Sequence, residues 1–229
     1  MTRRRQDYTV GLVCALPIEL AAATTMLDEA HHDLPQDDND TNLYTLSHIS
    51  KHNVVIACLP ASRMGTNSAA TVAVEMKSKF AWIRFILMVG IGGGVSSAEF
   101  DIRLGDVVIS QPHMQHRGVV QYDFGKTGPS GFIRTGSLNT PPTILLNALS
   151  KLQANHDIGR NSILTHLSVV KHLPKFAYNN AGHDILFESA YKHVEGPTCA
   201  WRSKVRLVKR NQRGSQEIVV HYSTIASGN

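Results

Sequence analysis

Two features of the 229-residue sequence have the residue types that chemistry needs. Glu19 stands four residues after the apolar run Thr9–Ala15, just inside a stretch that Pro17 opens. A carboxylate there can take a proton from water as a general base. It can equally be a first-turn acid that stabilises a helix macrodipole. The second feature is Gly90-Ile91-Gly92-Gly93-Gly94, which follows the apolar run Arg84–Val89 directly. Glycines at a strand's end let backbone N–H groups approach an anion or a sugar without obstruction. The same cluster also suits a turn that needs glycine for geometry alone.

Other motifs fall short of their templates. A dinucleotide fingerprint needs glycine at position 95, where Val95 stands. Gly125-Lys126-Thr127 has the ending of a phosphate loop, but the glycine required at position 120 is Val120. His113 and His116 form an HxxH and His31-His32 are adjacent, yet neither pair has a carboxylate or cysteine at ligand spacing, so they read as surface histidines. Cys14, Cys58 and Cys199 are odd in number and far apart, which excludes a disulfide framework and a CxxC metal knuckle.

The elements that must position Glu19 and the glycines follow from patterning. Thr9–Ala15 has the continuous apolar character of a strand buried on both faces. Pro17 suits the first turn of a helix running to about Leu27. Asn42–Ile49 and Asn53–Leu59 read as paired strands. From Thr66 on, Ala69, Val72, Ala73, Met76 and Phe80 recur at helical spacing. Arg84–Val89 and Asp106–Ser110 read as further strands, Pro142–Gln153 and Ile163–Leu173 as helices, and Glu217–Ala226 as a last strand. Residues 154–215 are polar with weak periodicity and read as an insertion of short helices and a basic loop within a single domain spanning 1–229. Alternating strands and helices with glycine turns imply an α/β fold, with a mixed or mostly parallel sheet covered on both faces.

Composition narrows the class. Apolar residues make up 42% of the chain, enough for a folded core. The longest apolar stretch, Phe80–Val95, contains Arg84 and is too short to span a bilayer. Arg3–Arg5 and Arg202–Arg213 hold nine cations, and without them the formal charge of +5 becomes −4. Only Trp201 borders the second run as an aromatic, so it reads as a solvated basic loop rather than a nucleic-acid surface. Pro17 and Glu19 fall where a secretory leader would be apolar or cleaved, so the N-terminus reads as strand, turn and helix. With free cysteines, an intracellular, cytoplasmic location is expected.

Together, Thr9–Glu19 (TVGLVCALPIE), Gly65–Ala70 (GTNSAA), Leu87–Val95 (LMVGIGGGV), Asp101–Ser110 (DIRLGDVVIS), Val120–Gly125 (VQYDFG) and Ile225–Asn229 (IASGN) resemble the purine nucleoside phosphorylase and methylthioadenosine nucleosidase superfamily. The likeness is greatest to its fungal branch, found as the N-terminal module of multidomain proteins. The resemblance implies a three-layer α/β/α fold around a central mixed sheet. It also implies cleavage of the N-glycosidic bond of a purine nucleoside or nucleotide by water or phosphate. No cofactor is implied, with phosphate a co-substrate only in phosphorolysis. Relatives assemble as homo-oligomers.

By the same resemblance Glu19 orients water, Ala15 lines the nucleophile pocket, and Ile91, Gly92, Gly93 and Gly94 flank ribose and base. Gly65 and Thr66 open a helix whose backbone donors suit an anion or hydroxyl. Hexameric bacterial phosphorylases carry an arginine where Glu19 stands, so the carboxylate favours hydrolysis. The alternative is a catalytically inactive nucleoside-binding or signalling module of a receptor-like protein. Family members continue past the ASGN strand with a Met-Glu pair that grips ribose and an aspartate that protonates the base. The expectation is therefore a C-terminally truncated domain, short of a strand–helix–strand unit of about 30 or more residues, with low turnover and an unpaired sheet edge.

Overall fold

In the computed structural model the described residues are all except 1–2, 36, 38, 98, 178–181, 193–202, 214–217 and 229. Cys199, Trp201, Arg202 and Asn229 therefore lie outside them. Strand β1 (Val10–Cys14) leads into helix α1 (Pro17–Thr25), followed by β2 (Glu29–Ala30), β3 (Tyr44–Ile49), β4 (His52–Cys58), helix α2 (Thr66–Lys79) and β5 (Phe85–Met88). These strands form a mixed sheet in the order β2-β3-β4-β1-β5. The β3–β4 pair is an antiparallel hairpin, whereas β4, β1 and β5 run parallel, with Cys14 opposite Cys58 and Val13 opposite Met88.

Strand periodicity divides the core into two halves, because successive side chains point to opposite faces. Val10, Leu12 and Cys14 of β1, with Val54 and Ile56 of β4, pack against Leu20 and Ala23 of α1 and against Leu27. Val13, Val55 and Ala57 face the other way, onto Val72 and Met76 of α2, with Tyr8, Phe80 and Ile83 closing the cluster. One helix thus covers each face, giving three layers. Side chains such as Ile56, Val55 and Met76, fully buried, contribute about 1.5–3 kcal/mol each. Gly11 is the close-approach point beneath α2, where a Cβ would sit 2.6 Å from Met76 Sδ and 3.0 Å from Ile86 Cγ1.

The chain continues through β6 (Val107–Ser110), β7 (Val119–Gln121), β8 (Gly125–Gly128), β9 (Gly131–Arg134), α3 (Thr143–Asp157), α4 (Ile163–Leu167), β10 (Val220–Ser223) and β11 (Ile225–Ser227). Among the described residues, β10 pairs in parallel with β6, β11 in parallel with β7, and β8 with β9 as a hairpin. Helix α3 runs four residues past the expected Gln153, and α4 stops at Leu167, not Leu173. The segment Ser168–Leu173 closes as successive turns, with Val170 N–H on Leu167 O and Leu173 N–H on Val170 O. Strand β5 ends the five-stranded sheet with Leu87 and Met88 exposed. No helix of the described residues is long and apolar enough to cross a membrane.

A valine at position 11 would add two methyl groups between β1 and α2. Gly11→Val is expected to lower stability by about 1–3 kcal/mol, read as a lower urea midpoint at unchanged slope.

Candidate active site

The carboxyl ends of the three parallel strands lie side by side, and each leads into a segment singled out in the sequence. After β1 come Ala15 and Glu19, after β4 come Gly65 and Thr66, and after β5 comes the Gly90–Gly94 bend. The ladder continues one step beyond the strands: Leu59 N–H donates to Cys14 O at 2.9 Å and Val89 N–H to Val13 O at 3.0 Å. This is where open parallel sheets place their ligands.

Glu19 joins two of these segments. It is the third residue of α1, after the N-cap Leu16, Pro17 and Ile18, so its side chain can reach back over the start of its own helix. Oε2 accepts hydrogen bonds from the backbone N–H groups of Ala15 (2.7 Å) and Leu16 (2.9 Å). Oε1 accepts one from Ile91 N–H at 2.7 Å, across 72 residues of sequence. The residue is buried, with 6% of its surface exposed, although Ile91's side chain is open to solvent.

Three backbone donors stand in for the water lost on burial. A carboxylate offers about four lone-pair sites, so these three donors leave one, on Oε1, without a backbone partner. The glycine cluster and Glu19 therefore converge, as the sequence analysis anticipated. Glu19 is also the acid of the first turn of α1, and its bond from Leu16 N–H caps that helix.

The glycines of the bend have separate duties. A Cβ on Gly90 would stand 2.8 Å from Glu19 Oε1, so the carboxylate could make room only by giving up its bond from Ile91 N–H. Cβ atoms on Gly92 and Gly93 would meet nothing within 4 Å, so their backbones line open space. Gly94 lies under Ile102, whose Cγ2 would be 2.7 Å from a Cβ. Gly65 caps α2 at φ +100°, a left-handed conformation that favours glycine, and Thr66 begins the helix. Neither is among the donors to Glu19.

The cysteines nearby are poor nucleophiles. Burial, then Cys58 and Glu19, push the Cys14 thiol up to about 11. Cys58 is raised by burial and then by Glu19. Thiols so shifted hold little thiolate at neutral pH, leaving the carboxylate as the group available for proton chemistry. Among the described residues no cluster of His, Cys, Asp and Glu could hold a metal ion. Gly125-Lys126-Thr127 lies in strand β8 rather than in a loop leading to a helix.

The basic run is not the solvated loop its composition suggests, because three of its arginines are drawn onto carboxylates. Arg213 grips Asp106 with both guanidinium nitrogens at 2.7 Å, and His221 Nε2 lies 2.9 Å from the same carboxylate. The backbone N–H groups of Arg103 and Val219 complete the set. Burial alone would push the Asp106 carboxyl up, but these bonds together hold it well below the usual carboxylate range. Arg210 pairs with Asp184 at 2.7 Å and Asp101 at 3.4 Å, and Arg206 with Glu188 at 3.1 Å. Three arginines of the run thus face carboxylates of this chain, fastening the run to the Asp101–Asp106 turn ahead of β6. The only advance signal was the coincidence of DIRLGD with a run free of acids.

Comparison with known proteins adds a relationship. The profile of the Phosphorylase superfamily matches residues 9–199. A "Nucleotide-binding leucine-rich repeat (NLR)-like protein" of Hyaloscypha variabilis is 44% identical over 227 residues, 98% of this chain and 22% of that protein. A "5'-methylthioadenosine/S-adenosylhomocysteine nucleosidase" of Mycobacterium bovis is 30% identical over 117 residues, 51% of this chain and 39% of its own length. A Helicobacter pylori MTAN mutant, crystallised with 5'-methylthioadenosine in its active site, superposes with a TM-score of 0.51 at 15% identity, covering 96% of this chain and 64% of that one. The last is a likeness of fold. The chain spans less than two thirds of the length of each of these proteins.

Removing the Glu19 side chain leaves three amides without acceptors. Glu19→Ala is expected to cost about 2–3 kcal/mol, and to speed hydrogen exchange at Ala15, Leu16 and Ile91 well beyond other amides of the sheet. Gly90→Ala should speed exchange at Ile91 specifically, since it displaces Oε1 alone. At the second cluster, a folded pKa below the unfolded value of about 3.9 means that Asp106 contributes stability above that pH. The contribution is lost as pH falls through it. Asp106→Asn should therefore be less stable than the wild type at pH 7, and should lose less between about pH 7 and pH 3 in urea titrations.

Proposed function

The chain belongs to the Phosphorylase superfamily, and from that premise we propose that it cleaves the N-glycosidic bond of purine nucleosides or nucleotides with water as the nucleophile. The observation that carries this reading is the Glu19 carboxylate, buried beside the glycine bend with one lone pair of Oε1 unclaimed by backbone donors. A water donating to that lone pair is oriented and made more nucleophilic. As its oxygen bonds to the anomeric carbon and the carbon–nitrogen bond breaks, its proton passes to Glu19 and the base departs, taking up a proton in turn.

The sugar becomes cation-like in the transition state, and a fixed carboxylate beside it lowers that barrier electrostatically. The open backbones of Gly92 and Gly93 give ribose and base room to approach the main chain, with Ile91 and Gly94 flanking them. Ala15 forms the floor beneath the water, and the start of α2 at Gly65 and Thr66 offers a positive helix end to a hydroxyl or anion. A carboxylate at the nucleophile's place repels phosphate, which is why hydrolysis is preferred to phosphorolysis. The names of the mycobacterial and Helicobacter relatives agree in kind.

A second reading draws on the Hyaloscypha relative, in which the matched stretch is 22% of a nucleotide-binding leucine-rich repeat-like protein. There the same hollow would bind a nucleoside without turning it over.

Base release from adenosine and 5'-methylthioadenosine separates these possibilities. Hydrolysis predicts release that is independent of added phosphate and that Glu19→Gln lowers about 100-fold or more. A strict requirement for phosphate would reverse the choice of nucleophile. Nucleoside binding without release by the wild-type chain would favour the second reading.

A further inference from the structure

Arg206, Arg210 and Arg213 of the basic run face carboxylates, but among the described residues Arg117 and Arg134 do not. Both line a cavity of about 260 Å³ between the turn ahead of β7 and the β8–β9 hairpin, and no carboxylate of the described residues lines it. Neither arginine takes part in an ion pair among the described residues. Arg134 Nη2 instead lies 3.4 Å from His116 Nδ1. A guanidinium can only donate, so Nδ1 accepts and Nε2 carries the ring hydrogen. The cavity therefore collects two guanidinium forks and an imidazole N–H, with the Phe124 ring, Leu138 and Val119 completing its wall.

The backbone holds this arrangement in place. His113 and His116 exchange N–H to O bonds of 3.0 and 2.9 Å, closing the turn that presents His116 and Arg117. Gly118 follows at φ +100°, where a Cβ would also strike Ser110 Oγ at 2.8 Å. Arg134 stands opposite Gly125 in the hairpin. The backbone at Gly136 lies against the Phe124 ring, which a Cβ built there would meet at 2.8 Å.

We propose that this cavity binds the phosphate of a mononucleotide, with the base against Phe124. Guanidinium forks match phosphate oxygens in pairs, and an aromatic ring is a stacking platform for a base. The volume lies just below the usual range of ligand pockets, roughly 300–1,000 Å³, which suits one nucleotide in a partly open site and leaves no room for a dinucleotide. The HxxH of the sequence thereby gains a role as an anion-facing turn rather than as a metal site.

The inference does not rest on hydrolysis at Glu19, because binding is read at the phosphate and turnover as released base. Phosphorus NMR of AMP titrated with the full 229-residue chain is expected to show saturable shifts. These should weaken as salt rises from about 50 to about 200 mM. Replacing both arginines (Arg117→Gln with Arg134→Gln) should weaken binding at least about tenfold. Arg134→Lys, which keeps the charge but loses the fork, should fall between. Both side chains are exposed, so unchanged thermal unfolding of the variants is expected and checks that the fold is kept. Inorganic phosphate should bind at least about tenfold more weakly than AMP, and Phe124→Ala should narrow that gap. Absence of saturable binding, affinity unchanged in the double variant, or inorganic phosphate binding as tightly as AMP would each overturn the proposal.

Discussion

A buried carboxylate has to be satisfied, and the arrangement at the sheet's carboxyl end follows from how Glu19 meets that demand. Burial leaves the carboxylate little contact with bulk solvent, so most of its acceptor sites must find N–H groups nearby. The β1–α1 turn supplies two and the segment after β5 supplies the third. That third bond fixes the direction in which the glycine bend leaves the sheet. Position 90 must in turn be glycine, since a side chain there would occupy the space of the carboxylate oxygen. Local capping and long-range assembly are thus one interaction. A substitution at residue 19 therefore acts on stability and on the site together, and exchange at Ile91 distinguishes the two effects.

The sheet supplies the frame for this contact. Parallel order across β4, β1 and β5 brings three strand ends to one rim, although their residues are separated by tens of positions in sequence. Helices on opposite faces hold those strands from both sides, and the alternation of Leu12 with Val13 in β1 serves both helices at once. Only a strand buried on both faces can do this, which accounts for the continuous apolar run at Val10–Cys14.

That run, the proline opening α1 and the helical spacing from Ala69 to Phe80 are local signals, and the first half of the fold was legible from them. The place of Glu19 in the first turn of α1 was legible too, and the structure shows that carboxylate bonded both to the start of its own helix and to Ile91. What could not be read were partners chosen at a distance. Nothing in the neighbourhood of Ile91 marks its amide as bound to residue 19, and nothing near Asp106 announces an arginine 107 residues later. Beyond β6 the periodicity weakens because the short elements there are held by side-chain pairs and short ladders, and neither core cluster of the described residues reaches them. The early end of α4 at Leu167 belongs to that regime.

Charge makes the same point from the other side. The formal +5 of the chain says little about where an anion would settle, because folding pairs cations and anions unevenly. The densest basic run is fastened to Asp101, Asp106, Asp184 and Glu188, so much of its field is cancelled within the molecule. Arg117 and Arg134 are isolated in sequence and attract no notice there, yet they face a cavity that no carboxylate of the described residues lines. An anion approaching the run must compete with carboxylates already in place, whereas at the β8–β9 hairpin it meets none among the described lining residues. Local pairing, rather than clustering along the chain, therefore decides which cations remain available to a ligand.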